Sequence, residues 1–415
     1  MGGAPSAPLR YDPYDPAALE DPYAAYRELR DSDPVHLHTG RYGDGDFYVL
    51  SRFEDIWAAV RRADLFSSAQ GITFRNERSA LGLAPTLVML DPPVHTGLRA
   101  LIGSAFTPKR AARLEGELRE FVRGRIAEME RRAADGEPVD LHRDFSSPVP
   151  TFVLGSLLGI PDSDRSRLDP WVAGLTRLQN AGFAVNGVGD AVASVAEMYA
   201  YFSDVVAARR AEPRDDLLGA LVAADINGER LTDWDILGFC FVMVAGGNDT
   251  TGNLISHGVM LLDQDHAARE RLAADPALIP NALVEFLRLE SSVQGLARMT
   301  TAPVTVRDVK IPEGVKVLML YGSGNRDERE FGADADRLDL TRDIKRHLAF
   351  SSGAHFCIGS HFARLQARVA FEELYARQPH VGVDVPAGRR LHSSFTRGWI
   401  SLPATGVEPA GFRKP

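Results

Sequence analysis

The chain has 415 residues, 45% of them apolar and 25% charged, with a formal net charge of −9 from 47 basic and 56 acidic side chains. That is a globular composition, long enough for two or three ordinary domains or one large one, and its acidity excludes a chain-wide basic footprint for nucleic acid. The only two cysteines, Cys240 and Cys357, exclude a disulfide framework and a four-cysteine zinc site, and they suit a reducing cytoplasm.

From the N-terminus onward, the first segment lacks the basic and apolar regions of a secretory signal. Val35–His38 and Phe47–Leu50 alternate around Gly43-Asp44-Gly45, which predicts a hairpin. Apolar positions at helical spacing predict helices over residues 109–133, 191–209 and 266–290. The longest apolar run, Ile236 to Gly247, is shorter than the ~18–20 residues of a membrane span and suits a buried helix. Thr232 and Asp235 before it have the spacing of a capping box, with Asp in place of Glu. The run continues through Asn248-Asp249-Thr250-Thr251 to about Leu262. Polar groups inside a core helix cost free energy unless they are paired or used. They either serve chemistry or mark a Gly-Gly kink satisfied by threonine back-bonding and water. Further on, Val304–Val309 and Val315–Leu320 flank the turn Pro312-Glu313-Gly314, and Ser360 to Leu374 reads as a helix. No linker or repeat interrupts the chain. The expectation is one domain over residues 1–415, mainly α with a small β lobe.

Residues 350–359 read FSSGAHFCIG. Cys357 therefore sits in a glycine-flanked loop that enters a helix N-terminus. Backbone N–H groups there favour a thiolate, and glycines let the backbone approach a flat ligand. A thiolate so held is an axial ligand for haem iron, whereas an isolated cysteine is more often a buried free thiol. Cys240, among Phe239, Phe241 and Val242, reads as core.

With Phe350, Gly353, Cys357 and Gly359 spaced F-x-x-G-x-x-x-C-x-G, the chain resembles the cytochrome P-450 family. Three further motifs stand in that family's order. They are DPPVHTGLR at 91–99, GGNDTT at 246–251 and the E-x-x-R of Glu285 and Arg288. Segments 293–298 (VQGLAR) and 321–329 (YGSGNRDER) are similar to a bacterial subgroup. The resemblance implies the P-450 fold, with haem b between the long central helix and the cysteine-loop helix. It implies Cys357 as the proximal thiolate, with His95, Arg99, Arg298 and His355 as donors to the haem propionates. Asp249 and Thr250 would relay the protons that dioxygen cleavage consumes. Glu285 and Arg288 would form a buried pair, joined by Arg337, that braces the cysteine loop. Two departures are visible: Ser291-Ser292 stand where Ser-Pro is frequent, and Leu338 follows Arg337 where Phe is usual. Gly246 stands where Ala is frequent, which implies a slightly roomier pocket there.

The same resemblance implies a monooxygenase that hydroxylates or dealkylates an apolar small molecule. Phe74, Leu87, Val88, Val242, Gly246, Val293, Leu296 and Phe395 are the expected pocket residues. No fused reductase domain is expected. Electrons would come from an external ferredoxin and its NAD(P)H-dependent reductase, docking on Arg99, Lys109, Arg110, Arg113 and Arg364, unless those charges form only a solvated helix face. A monomer without nucleic-acid partner or membrane anchor is expected. A peroxide-dependent haem-thiolate enzyme and a non-catalytic haem sensor are the alternatives. The acid–alcohol pair at 249–250 favours the monooxygenase. A dinucleotide fold is disfavoured because Asp327 stands where Gly322-x-Gly324 would need its third glycine.

Overall fold

Alternating apolar side chains build a five-stranded sheet. Val35–His38 (β1) and Phe47–Leu50 (β2) pair antiparallel, with Val35 opposite Leu50. Strand β2 is also parallel to Lys316–Met319 (β5), which lies antiparallel to Leu296–Thr300 (β4). Phe66–Ser67 (β3) closes the order β1-β2-β5-β4-β3. The segment Val304–Val309 does not form one strand. Val304–Val306 folds back on Val309–Ile311, turning at Arg307 with φ 53°. The partner of β5 is β4, on the far side of that hairpin, because all four residues of β5 are buried and need neighbours on both edges.

Residues 11–40, 45–73, 86–103, 106–179, 188–214, 216–226 and 229–410 are described by this computed structural model. The turn at 43–44 and the pocket candidate Phe74 lie outside them. Among the described residues no helix is long and apolar enough to cross a membrane.

The helices that frame the site follow in chain order. Val94–Gly103 (α1) carries the His95 motif. The periodic stretch 109–133 is two helices, Pro108–Arg113 (α2) and Glu115–Ala134 (α3), joined at Leu114. Thr107 caps α2 by accepting from Arg110 N, and Pro108 occupies its first turn, where no donor is needed. Leu168–Gln179 (α4) and Val188–Ala211 (α5) pack on one another. Asp233–Gly247 (α6) opens with the expected capping box: Asp235 N donates to the Thr232 hydroxyl at 3.2 Å, and Thr232 N to the Asp235 carboxylate at 2.9 Å. Asn248 then breaks the helix (φ −90°, ψ −67°), and Asp249–Gln264 (α7) resumes it.

Every residue of α7 from Thr251 to Leu262 is buried, so this half forms the centre of the core. At Gly258 a Cβ would stand 2.5 Å from Phe371 and 2.7 Å from Phe286. Only glycine permits that approach. The stretch 266–290 also divides, because Pro276 cannot donate and the Asp275 carboxylate accepts from Ala277 N at 3.1 Å. Its second part is Ile279–Leu289 (α8). Ser360–Arg377 (α9) follows the cysteine loop and packs on α3 and α8. Cys240 is fully buried in the same core.

His142 places Nδ1 3.0 Å from the Ser256 hydroxyl of α7, and burial pushes its pKa down to about 4. The folded chain keeps this ring neutral, while the unfolded chain protonates it near the ordinary value of 6.5. Its contribution is complete above about pH 6.5 and is lost as pH falls toward about 4, on the order of 3 kcal/mol in all. Melting curves of the haem-loaded protein should show Tm falling across that window, with a shallower fall in His142→Asn.

Candidate active site

The cysteine loop is shaped by its own backbone. Cys357 N donates to Phe350 O at 2.9 Å, and Phe356 N donates to Gly353 O at 3.1 Å. Gly353 has φ +69°, and a Cβ there would press within 3.1 Å of Arg61 Cα. Ser351 is also left-handed at φ 57°, and its hydroxyl lies 3.2 Å from the Tyr321 hydroxyl, a buried contact that holds an otherwise strained residue. Beyond Gly359, α9 begins. Burial pushes the Cys357 thiol up. The Gly359 N–H, the Arg99 and Arg364 guanidinium groups and the Ser360 N–H all pull it back toward thiolate. Phe350, under the Arg364 guanidinium at 5.1 Å, shields the loop.

Glu285 and Arg288 meet one turn apart on α8, both with side chains at 0% exposure. The pair is bidentate, Nε to Oε2 at 2.7 Å and Nη2 to Oε1 at 2.8 Å. Arg288 Nη1 also donates to Asn325 O and Ala335 O, at 2.9 and 2.6 Å. Asn325 Oδ1 in turn accepts from Leu348 N at 2.7 Å, and Leu348 O accepts from Ser351 N at 2.7 Å. The pair is thereby wired to the cysteine loop. The third member differs from the expected one. Arg342, not Arg337, reaches the Glu285 carboxylate, with Nε 3.2 Å from Oε1. Arg337 is exposed, and its carbonyl faces Arg342 Nη2, because the 334–342 loop folds back and turns residue 342 inward.

His95 and Arg99 of α1, Arg298 of β4 and His355 of the cysteine loop come together from three separate segments. The His95 and His355 rings lie 4.2 Å apart. Among the described residues neither ring nitrogen of buried His95 has a hydrogen-bond partner, and His355 Nε2 lies 3.1 Å from the Ser68 hydroxyl. Arg298 is buried and gives one Nη1 bond to Ala297 O, while Arg99 Nη2 donates to Phe356 O. Burial, then the Arg298, His95 and Arg99 charges, push His355 down to about 3. His95 is lowered by burial and by Arg99 and Arg298. The nearby acid, Asp91, is engaged by Ser68 N at 2.8 Å and by the Ser67 hydroxyl. Two guanidinium groups and two imidazoles, with the His95 nitrogens unpartnered among the described residues, fit a ligand edge that carries carboxylates. The donor set thus fits a carboxylate-bearing cofactor such as haem, with a thiol presented on the adjoining loop.

At the break in the central helix, Gly246 and Gly247 are exposed although they lie in mid-chain, and a Cβ on either would meet nothing within 4 Å. The Thr250 hydroxyl donates to Gly246 O at 2.9 Å, which is the back-bonding a kink requires. Asn248 is buried, and its Oδ1 accepts from the Thr151 hydroxyl at 2.9 Å. Asp249 is the half-buried first residue of α7. Of the pocket candidates, Val293 and Phe395 are brought side by side, since Gln294 N donates to Phe395 O at 2.7 Å and Val293 bridges Thr396. Leu87 is buried in a turn over 87–89 that packs on α6, with Val88 half-buried beside it. Val242 is half-buried on α6, while Leu296 and Val293 lean toward the sheet core. Sequence reasoning did not find Arg342, Ser68, Asn248 or the bond that Ser292 makes to Thr250. Of these, only Asn248 and Ser292 stood in quoted motifs.

A family model described as Cytochrome P450 matches residues 190–375. Cytochrome P450 130 of Mycobacterium tuberculosis is 42% identical over 391 residues, 92% of this chain and 94% of that protein. The vitamin D(3) 25-hydroxylase of Pseudonocardia autotrophica is 34% identical over 402 residues, 95% and 96% of the two chains. The solved Mycobacterium marinum cytochrome P450 CYP268A2 in complex with pseudoionone matches with a TM-score of 0.86 at 30% identity, over 97% of this chain and all of that one.

The bracing geometry predicts a ranking. Arg288→Ala strips a buried carboxylate of its bidentate partner, leaving only the Arg342 and Asp339 bonds, and should destabilise by about 3–5 kcal/mol. Arg342→Ala should lose about 2 kcal/mol, and Arg337→Ala should stay within about 0.5 kcal/mol. Denaturant midpoints of the three purified variants check the order.

Proposed function

The chain belongs to the cytochrome P450 family and is a haem-thiolate monooxygenase, and on that premise we propose that Cys357 Sγ ligates the iron while His95, Arg99, Arg298 and His355 hold the propionates. The observation that carries this reading is the group of basic side chains beside the cysteine loop, in which buried His95 has no ring nitrogen bonded to any described residue and lies 4.2 Å from the His355 ring. When bound, haem supplies dioxygen reduction and transfer of one oxygen atom to substrate. The protein's own groups do the rest. The Gly359 and Ser360 N–H groups and two guanidinium groups oppose the burial that pushes the Cys357 thiol up, and so favour the sulfur as an anion. Phe350, Gly353 and Gly359 shape the loop that presents it. Thr250 spends its proton on Gly246 O, so its oxygen faces the open helix turn as an acceptor. A water held there receives its proton through Asp249. This acid–alcohol pair supports dioxygen over peroxide as the oxidant.

The substrate is an apolar small molecule, hydroxylated or dealkylated, held by Leu87, Val88, Val242, Gly246, Val293, Leu296 and Phe395. The hydroxylase name of one relative supports that reaction. Electrons arrive from a redox partner, which we take to be a ferredoxin reduced at the expense of NAD(P)H. Its docking face is the exposed pair Lys109 and Arg113 of α2, with Arg110 between them. Their neighbours Pro108 and Ala111, with Leu283, Arg364 and Leu365, line a hollow of about 250 Å³. Arg99 and Arg364 are half-buried, and their charges act on the Cys357 thiol.

Cys357→Ala should abolish the thiolate-type spectrum of the reduced carbon monoxide complex; a wild-type protein without that spectrum refutes the assignment. Thr250→Ala should keep haem and substrate binding, seen as the spin-state shift, while product per electron falls on the order of tenfold to a hundredfold and peroxide rises. Reversing the charges of Lys109 and Arg113 should slow reduction by ferredoxin at low salt and matter little at high salt. An unchanged rate at low salt removes the docking face.

A further inference from the structure

We infer that Ser292 is a positioning residue for Thr250, acting on its backbone and not on the reaction itself. The inference rests on the role proposed above for Thr250.

The Ser292 hydroxyl donates to Thr250 O at 2.9 Å, linking residues 42 apart in sequence. Thr250 needs such a tie. Asn248 interrupts the helix two residues earlier, so continuity with α6 does not fix where Thr250 sits. Its own side chain is committed backward, to Gly246 O. The Ser292 bond runs the other way, to a fixed support.

That support is built from both ends. Ser292 O accepts from Arg397 N at 2.8 Å. The Arg397 guanidinium is paired with Glu290 at 3.1 Å, and Glu290 with Arg326 at 3.1 Å, all of them buried. Gln294 N donates to Phe395 O at 2.7 Å, and Gly322 N to Gln294 O at 2.9 Å. Ser292 is thus a donor on a braced segment, aimed at the one peptide group that carries the Thr250 side chain. A proline at this position, the residue frequent in similar sequences, has no hydroxyl to make the bond.

The test uses haem-loaded protein and needs no substrate. Amide hydrogen exchange is followed by mass spectrometry across residues 248–256, and the carbon monoxide stretching band of the reduced adduct is recorded by infrared. Variants are Ser292→Ala, Ser292→Thr, Thr250→Ala and the Ser292→Ala/Thr250→Ala double. Ser292→Ala should speed exchange in this segment about fivefold, the size of one lost hydrogen bond, and Ser292→Thr should restore it. Ser292→Ala should also move the carbon monoxide band, and the double variant should match Thr250→Ala alone. Unchanged exchange in Ser292→Ala overturns the inference. So does a band shift that persists at full size when Thr250 is already absent. If Thr250→Ala leaves the band in place, the reading of Thr250 fails instead, while the exchange result still decides whether Ser292 anchors its backbone.

Discussion

A carboxylate and a guanidinium with no exposed surface sit at the junction of helix α8, the sheet lobe and the cysteine loop. Taking both charges out of water is unfavourable, and their mutual attraction alone does not guarantee a net gain. What makes the arrangement hold is saturation. Glu285 accepts two bonds from Arg288, one from Arg342 and one from Asp339 N. Arg288 also spends Nη1 on two carbonyls. Each bond has a fixed direction, so the pair sets geometry more than it adds stability. Asn325 carries that geometry to Leu348, and from there to the turn that presents Cys357.

The charges nearer the cysteine follow a different logic. Around Glu285 every charge is matched within the chain. Around His95 and His355 the basic groups crowd one another and find few acceptors, so burial and repulsion both keep the imidazoles neutral. Such a site selects its ligand by sign before it selects by shape, and it favours one that brings carboxylates. On the sulfur side the same guanidinium groups, Arg99 and Arg364, act in favour of the anion.

Much of this was legible in the residues. The spacing of Phe350, Gly353, Cys357 and Gly359 encodes a loop whose backbone angles and N–H directions are local properties. The i, i+3 spacing of Glu285 and Arg288 encodes their pairing on one helix face. Thr232 and Asp235 encode their cap in the same way. What failed to show was anything decided by a loop folding back on itself. Arg337 and Arg342 are the same residue type five positions apart, and only the course of the chain between them turns one inward. The strand at 316–319 has a turn before it, yet its partner is chosen by burial on both edges. The Ser292 bond joins two motifs that no periodicity connects.

The break at Asn248 also divides one helix between two territories. On one side α6 packs with α4 and α5, and Tyr199 of α5 stacks between Trp234 and Phe241 at 5.8 and 6.2 Å. On the other, α7 packs on α8 and α9, with Gly258 clenched between Phe286 and Phe371. On the reading proposed above, the first territory holds Val242 against the substrate and the second holds Thr250, so descent with modification can rework one half of the helix while the other stays in register, and a single scaffold can diversify its appetite and leave its reaction alone.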